Sequence, residues 1–125
     1  MGLTRNFKET VQARVRTDPE FAKELLREGI ERLMKGELEI GKSLLRDYIN
    51  ATLGFTKLAK ETRTPAKSLM RMFSPEGNPH ARNLIAVLGA LLEEGEIDLT
   101  VHCRPSSQRG ATSKERGRAT TERAA

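Results

Sequence analysis

The chain has 125 residues, of which 37% are hydrophobic and 4% are aromatic, and it contains no tryptophan. These proportions fit one small domain whose core is built mainly from aliphatic side chains. The single cysteine, Cys103, excludes an intramolecular disulfide and is typical of a reducing compartment. No apolar run approaches the roughly 18 residues that a membrane span needs, and the N-terminus lacks a signal-peptide core. We therefore expect a cytoplasmic protein that does not enter a membrane.

The net charge of +5 is distributed unevenly along the chain. Residues 55–83 carry six basic and two acidic residues, and residues 104–125 carry the same numbers. Residues 84–103 carry four acidic residues and no basic one. A local excess of basic residues is the electrostatic footprint of a nucleic-acid-binding surface.

The N-terminal third of the chain is predicted to form two helices. Asn6 resembles a helix cap, so a first helix is expected over about residues 7–17. Asp18 is a good N-cap and is followed by a proline suited to the first helical turn. The second helix is expected to end at Gly36, which can adopt a left-handed cap.

The middle of the chain is predicted to hold four more helices. A third helix spans about residues 37–53 and ends at a glycine, and a short fourth helix covers residues 55–62. After a tight turn, Thr64 and Pro65 are expected to cap and open a fifth helix that ends by residue 74. Asn78 and the following proline are expected to open a sixth helix that ends near residue 93.

The C-terminal segment is predicted to contain one strand and a tail. Gly95 should break the sixth helix, and residues 97–101 alternate between apolar and polar types, which is the period of a half-buried strand. One strand is not stable alone, so it should pair with a second copy of the chain or with another protein. Residues 104–125 contain almost no large apolar side chain and should be disordered.

The fourth and fifth helices together have the pattern of a helix-turn-helix. Leu69 and Met72 should face the scaffold, whereas Lys67 and Arg71 are four residues apart and should emerge together on the opposite side. In this motif the second helix enters the major groove of DNA. Spacing alone also fits a plain helical bundle whose basic residues are simply solvated.

Each residue type near this helix suits a particular contact with DNA. Arg71 can form two hydrogen bonds to guanine, and Ala66 is small enough to contact a thymine methyl group. Thr64 and Ser68 could bind phosphate, as could the start of the sixth helix. The predicted DNA-binding residues are Thr64, Pro65, Ala66, Lys67, Ser68, Arg71, Asn78, His80 and Arg82.

The segment LAKETRTPAKSLMRMFSPEGNPHARNLIAVLGAL resembles the lambda-repressor-like (Cro/C1-type) helix-turn-helix. It is similar in particular to the HigA-like antidote (antitoxin) proteins of type II toxin–antitoxin modules. LLRDYINATL precedes it, and the elements GF, LA, PAKSLMRM and GNP follow in the order of that group. The entry region TRNFKETVQARVRTDPEFAKELL is similar too, so the resemblance covers about residues 3–101.

The resemblance implies an all-α fold: a helix-turn-helix bundle with two extra N-terminal helices and a short C-terminal strand. The chain would divide into an N-terminal helical extension at 1–36, a helix-turn-helix domain at 37–103 and a basic tail at 104–125. The resemblance further implies a homodimeric repressor that binds double-stranded operator DNA and neutralises a small basic toxin of the RelE/ParE fold.

Two residues depart from the wider repressor pattern. Arg63 occupies the turn position that is usually glycine, where a positive φ should cost about 1 kcal/mol. Phe55 replaces a glutamine that clamps phosphate in many repressors, and a phenylalanine cannot make that contact. Recognition of the operator should therefore differ from that of phage repressors.

Other functions are less consistent with the residues of this chain. His80, His102 and Cys103 are too few for a zinc site, so no metal or cofactor is expected. Neither Asp47 with Tyr48 nor the group of Glu93, Glu94 and Glu96 is paired with a nucleophile or base, so the chain is not expected to be an enzyme. The acidic run at 93–98 could instead attract a basic partner. The alternatives kept open are a phage- or plasmid-type repressor without a toxin and a protein-interaction module with a basic face.

Overall fold

Six α-helices account for most of the chain in a computed structural model that describes residues 2–106. None of these residues is in a β-strand, so the predicted all-α class is confirmed for this part of the chain. No helix within it has the length and apolar character needed to cross a membrane. The helices are α1 Gly2–Thr17, α2 Pro19–Met34, α3 Leu38–Ala51, α4 Phe55–Thr62, α5 Ala66–Met72 and α6 Ala81–Glu94.

The ends of α1 and α2 follow from local sequence in all but one place. The Asp18 carboxylate accepts the backbone N–H of Phe21 at 3.2 Å, as an N-cap should. Gly36 has a φ of +83°, the left-handed conformation predicted at the end of α2. The predicted start of α1 is wrong, because the helix begins at Gly2 and Asn6 lies inside it. No proline or glycine after Gly2 interrupts the first turns.

The first three helices pack on one another, with α2 against α3 as the most extensive pair. Gly29 and Gly41 lie where these two helices cross. A Cβ added at Gly41 would approach the Leu33 side chain to 2.7 Å and the Gly29 carbonyl oxygen to 3.1 Å. Larger residues would hold the helices apart, so the two glycines permit the close crossing that buries Leu26 and Leu45.

The last three helices complete the same core. α4 packs against both α5 and α6, and Leu58, Leu69 and Leu91 are fully enclosed. The buried core draws on all six helices and consists of Val15, Leu25, Leu26, Ile30, Leu45, Tyr48, Ile49, Ala51, Phe55, Leu58, Leu69, Met72, Phe73, Val87, Leu88 and Leu91. Aliphatic residues dominate it, as the composition predicted.

The sixth helix ends at Glu94 and Gly95 follows it as the C-cap, as predicted. Glu96 has a φ of +53°, whereas Gly95 has a φ of −84°. The Ile97 N–H donates to the Leu92 carbonyl at 2.9 Å, so the left-handed residue of this helix cap is Glu96 and not the glycine. Gly95 is closely surrounded, because a Cβ there would lie 3.1 Å from Ile97 Cδ1 and 3.2 Å from the Tyr48 hydroxyl.

Residues 97–101 follow this cap without forming a helix, turn or strand. Ile97 packs against the edge of the core. A cleft of about 150 Å³ separates the segment from α2 and is lined by Leu26, Ile30 and Leu99 among others. A strand assignment requires a neighbouring strand, so the strand predicted at 97–101 stays a prediction. Most of the predicted disordered tail, residues 107–125, lies outside the described residues.

Candidate nucleic-acid interface

A tight turn connects α4 to α5. Arg63 adopts φ +56° and ψ +38°, the left-handed conformation that the sequence predicted at this position. The N–H of Thr64 donates to the Ala59 carbonyl at 3.1 Å, and the Thr62 hydroxyl donates to the Leu58 carbonyl at 2.9 Å. These bonds satisfy the last carbonyls of α4, so the chain turns sharply and α5 leaves at a fixed angle.

The helix α5 has one buried and one exposed face, as predicted. Leu69 and Met72 are buried in the core. Lys67 and Arg71 are exposed and, being four residues apart, lie on the same side of the helix. Met70 is also exposed, at 52%, so an apolar side chain stands among the basic ones. A surface that combines cations with an apolar contact is suited to both the backbone and the base edges of DNA.

The predicted cap of α5 is shifted by one residue. Pro65 is the N-cap, because its carbonyl accepts the N–H of Leu69 at 3.1 Å. The Thr64 hydroxyl donates to the Thr62 carbonyl at 3.2 Å. Its proton is thus used within the turn, and a phosphate contact would require the side chain to rotate. Ser68 is exposed on the first turn of α5.

The start of α6 lies after a loop that follows α5. His80 is the N-cap and makes no side-chain capping bond, so Asn78 does not cap this helix and that prediction is wrong. Asn78, His80 and Arg82 are all exposed. The first N–H groups of α6 have no partner within the helix, and an anion placed there would gain from them and from the helix dipole.

Five basic residues of this region differ from those of α2 in how they are paired. Among the described residues, no hydrogen bond or ion pair involves the side chains of Lys60, Arg63, Lys67, Arg71 or Arg82. On α2, by contrast, Arg27 bonds Glu24 and Glu31, and Arg32 bonds Glu28 and Glu37. Hydrogen bonds from Arg27 and Lys35 also hold the pKa of Glu31 below its usual value. The positive charge on the turn, α5 and the start of α6 is therefore available to a ligand.

Phe55 has a structural role at the start of α4. Its ring is buried against Phe73, with ring centroids 6.3 Å apart and planes tilted by 55°. Tilted aromatic pairs of this kind are favourable beyond the area that they bury. The pair joins the start of α4 to the residue that follows α5, which helps to fix α4 and α5 relative to each other.

Two basic residues of α3 bind the loop after α5, and the sequence did not reveal them. Lys42 is only 1% exposed, and its Nζ donates to the carbonyls of Ser74 and Gly77, each at 2.7 Å. Arg46 donates to the Phe73 carbonyl at 2.8 Å. We call Lys42 and Arg46 the α3 clamp. The Phe73 carbonyl lies at the C-cap of α5, where partial negative charge favours a cation, and the carbonyls that Lys42 binds lie in the loop beyond it.

Gly77 allows the same loop to fold back on α5. A Cβ added at Gly77 would lie 1.9 Å from the Arg71 carbonyl oxygen and 2.7 Å from that of Met72. Only glycine permits this approach of the two backbones. The α3 clamp and Gly77 together fix the path from the end of α5 to His80, and so relate the two parts of the candidate interface.

Other ionisable residues of the described chain lie outside this interface, and most of them have structural partners. Asp47 is buried and lies 3.8 Å from Lys8, which joins α3 to α1. Lys57 pairs with Glu94 at 3.5 Å. Burial raises the pKa of the Tyr48 hydroxyl. Within residues 2–106, no three histidine, cysteine or acidic side chains converge as a metal site would require.

The chain matches no protein-family model, no curated protein and no solved structure. The family resemblance therefore remains a hypothesis that rests on the sequence elements quoted above. What the structure contributes independently is the arrangement of α4, the turn, α5 and the start of α6.

Proposed function

We propose that the chain is a sequence-specific DNA-binding antitoxin that acts in the cytoplasm as a homodimer. It represses its own operon and neutralises a RelE/ParE-like toxin. The observation that best supports DNA binding is the set of unpaired cations on the turn, on α5 and at the start of α6. Folded proteins commonly pair surface cations with carboxylates, as α2 does here, and a cluster left unpaired is suited to phosphates.

The proposed contacts divide into base reading and phosphate binding. Arg71 on α5 reads a guanine, with the half-buried Ala66 as an apolar reader nearby. Lys67 and Ser68 contact the backbone at the edge of the groove, and Arg82 with the free N–H groups of α6 holds a neighbouring phosphate. A short recognition helix of seven residues reaches only a few base pairs, so a second copy is needed to read a full operator.

DNA binding is tested with a labelled duplex from the region upstream of the chain's own gene and with a shuffled duplex of equal composition. Fluorescence anisotropy over a range of salt concentrations gives both affinity and the number of phosphates contacted. Arg71→Ala should lose about 1–3 kcal/mol of preference for the operator. Lys67→Ala should weaken binding to both duplexes equally. It should also reduce by about one the slope of the logarithm of affinity against the logarithm of salt concentration.

Arg16→Ala is the matched control, because Arg16 is exposed and unpaired on α1 and its loss removes the same charge. It should leave both affinities nearly unchanged. If Arg71→Ala and Lys67→Ala bind the operator as the unaltered chain does, the assignment of α5 as the reading helix is wrong.

The toxin partner is the part of the proposal that rests on the resemblance. The acidic residues 93–98 would provide a basic toxin with complementary charge. Co-expression with the adjacent gene tests it, and the two products should purify together. A neighbour that is harmless when expressed alone would reject the toxin while leaving DNA binding intact, and the chain would then be a repressor of the phage or plasmid type.

A further inference from the structure

The segment at 97–101 presents an unpaired backbone. The Ile97 N–H bonds Leu92, but no backbone hydrogen bond among the described residues involves residues 98–103. Leu99 and Val101 are 43% and 77% exposed, although both are large apolar residues. Exposed backbone groups beside alternating apolar side chains are a template for a second strand.

The sequence of this segment is complementary to itself in one antiparallel register. When two copies are centred on Leu99, Ile97 of one copy lies opposite Val101 of the other, and the two Leu99 side chains face each other. Every apolar side chain then has an apolar neighbour across the pair, on a single face. A shift by one residue would place Leu99 opposite Asp98 or Thr100 of the other copy, so that each face would mix apolar and polar side chains. The register centred on Leu99 is therefore preferred.

The polar face is compatible with the same register. Asp98 lies opposite Thr100 and diagonal to both His102 and Asp98 of the other copy, so no two like charges are directly opposed within 97–101. The cleft of about 150 Å³ between this segment and α2 is lined by Ile97 and Leu99 together with Leu26 and Ile30, and also by Asp98 and Thr100. A second strand along the edge would cover this cleft, which adds apolar burial to the ladder.

From these observations we infer that residues 97–101 pair in antiparallel fashion with the same residues of a second copy, with Leu99 on the two-fold axis. The paired strands form the dimer contact of the chain. This inference does not depend on DNA binding, because the association is measured in the absence of DNA. A contact of this kind is isologous, so it closes at two copies and leaves the interface on α5 free.

Charge at position 99 tests both the contact and its register. In sedimentation equilibrium the full chain should be a dimer, and Leu99→Lys and Leu99→Asp should each raise the dissociation constant at least about tenfold. Mixing the two variants should restore a dimer, because opposite charges then meet on the axis. Met34→Lys is the control, since Met34 is equally apolar and 74% exposed at the end of α2, and it should remain dimeric.

Cysteine cross-linking provides a second measurement that does not require a loss of association. In a Cys103→Ser background, Leu99→Cys should form a disulfide-linked dimer on mild oxidation, because directly opposed Cα atoms lie within bonding range. Val101→Cys should not, because the two copies of that residue are about 14 Å apart in this register. The inference is overturned by a monomeric full chain, as expected if another protein supplies the strand. It is equally overturned if Leu99→Lys stays dimeric, the charged mixture fails to associate, or position 101 cross-links as well as position 99.

Discussion

Replacing Lys42 with methionine tests whether the α3 clamp stabilises the motif. Methionine retains a long apolar stem that can pack in the same space, but it removes the ammonium group. The carbonyls of Ser74 and Gly77, each 2.7 Å from Nζ, would lose their partner. A third carbonyl, that of Pro75 at 3.4 Å, would lose a weaker contact.

The expected change in the free energy of unfolding of Lys42→Met follows from two opposing effects. A hydrogen bond to a charged group contributes about 1.5–3 kcal/mol, so two short bonds stabilise the fold by roughly 3–6 kcal/mol. The ammonium is almost fully buried, and removing it recovers part of the cost of its desolvation. We expect Lys42→Met to lower the free energy of unfolding by about 2–3 kcal/mol, which corresponds to a fall in Tm of roughly 10 °C.

Urea denaturation followed by circular dichroism measures this change, and Lys35→Met is the matched control. Lys35 makes only an exposed ion pair with Glu31 at 3.3 Å, and its replacement should change the free energy of unfolding by less than about 0.5 kcal/mol. Equal stabilities for Lys42→Met and Lys35→Met would refute the reasoning, because they would show that the buried ammonium contributes no net stabilisation.

Three further changes are expected to alter stability for distinct reasons. Glu96→Gly should raise the free energy of unfolding by about 1 kcal/mol in urea denaturation, since glycine adopts the positive φ without strain; no change would argue against the strained cap. Gly77→Ala should destabilise by more than about 2 kcal/mol because its Cβ would meet the Arg71 carbonyl, whereas Gly89→Ala, with open space around it, should stabilise slightly. Tyr48 has a raised pKa in the folded chain, so the folded state retains its proton more tightly. The protonated Tyr48 hydroxyl therefore contributes its full stabilisation below about pH 10, the ordinary pKa of tyrosine. This stabilisation is lost as the pH rises through the raised pKa of the folded chain. Between pH 8 and pH 11 the free energy of unfolding of Tyr48→Phe should therefore fall less than that of the unaltered chain. If the free energies of the two proteins fall in parallel, this reasoning is contradicted.

The parts of the fold predicted well are those that local residue types decide. The short helices before and after the turn, and the buried side of α5, follow from apolar spacing and from proline and glycine positions. The left-handed residue Arg63 was expected because the turn pattern demands a positive φ there, whatever residue occupies it. The caps of α5 and α6 were displaced because a proline can lie before a helix as well as within its first turn.

The parts missed by sequence reasoning depend on distant contacts. Lys42 binds backbone carbonyls more than 30 residues later in the chain, and a carbonyl carries no residue-type signal. The only hint was a lysine on the apolar side of α3, between Gly41 and Leu45. Gly95 was predicted to break the sixth helix, and it does follow its last residue, but the positive φ at this helix end belongs to Glu96. Nothing in the residue type of a glutamate indicates that conformation.

The pairing of surface charges distinguishes α2 from the region around α5 more clearly than net charge does. The ion pairs of α2 are exposed and contribute little each, so salt should change the stability of the fold only slightly. The unpaired cations around α5 should make ligand binding fall steeply with salt. A basic face that served only an acidic protein would show a similar salt dependence but no preference among DNA sequences. Base discrimination by Arg71 is therefore the property that distinguishes a DNA reader from an interaction module.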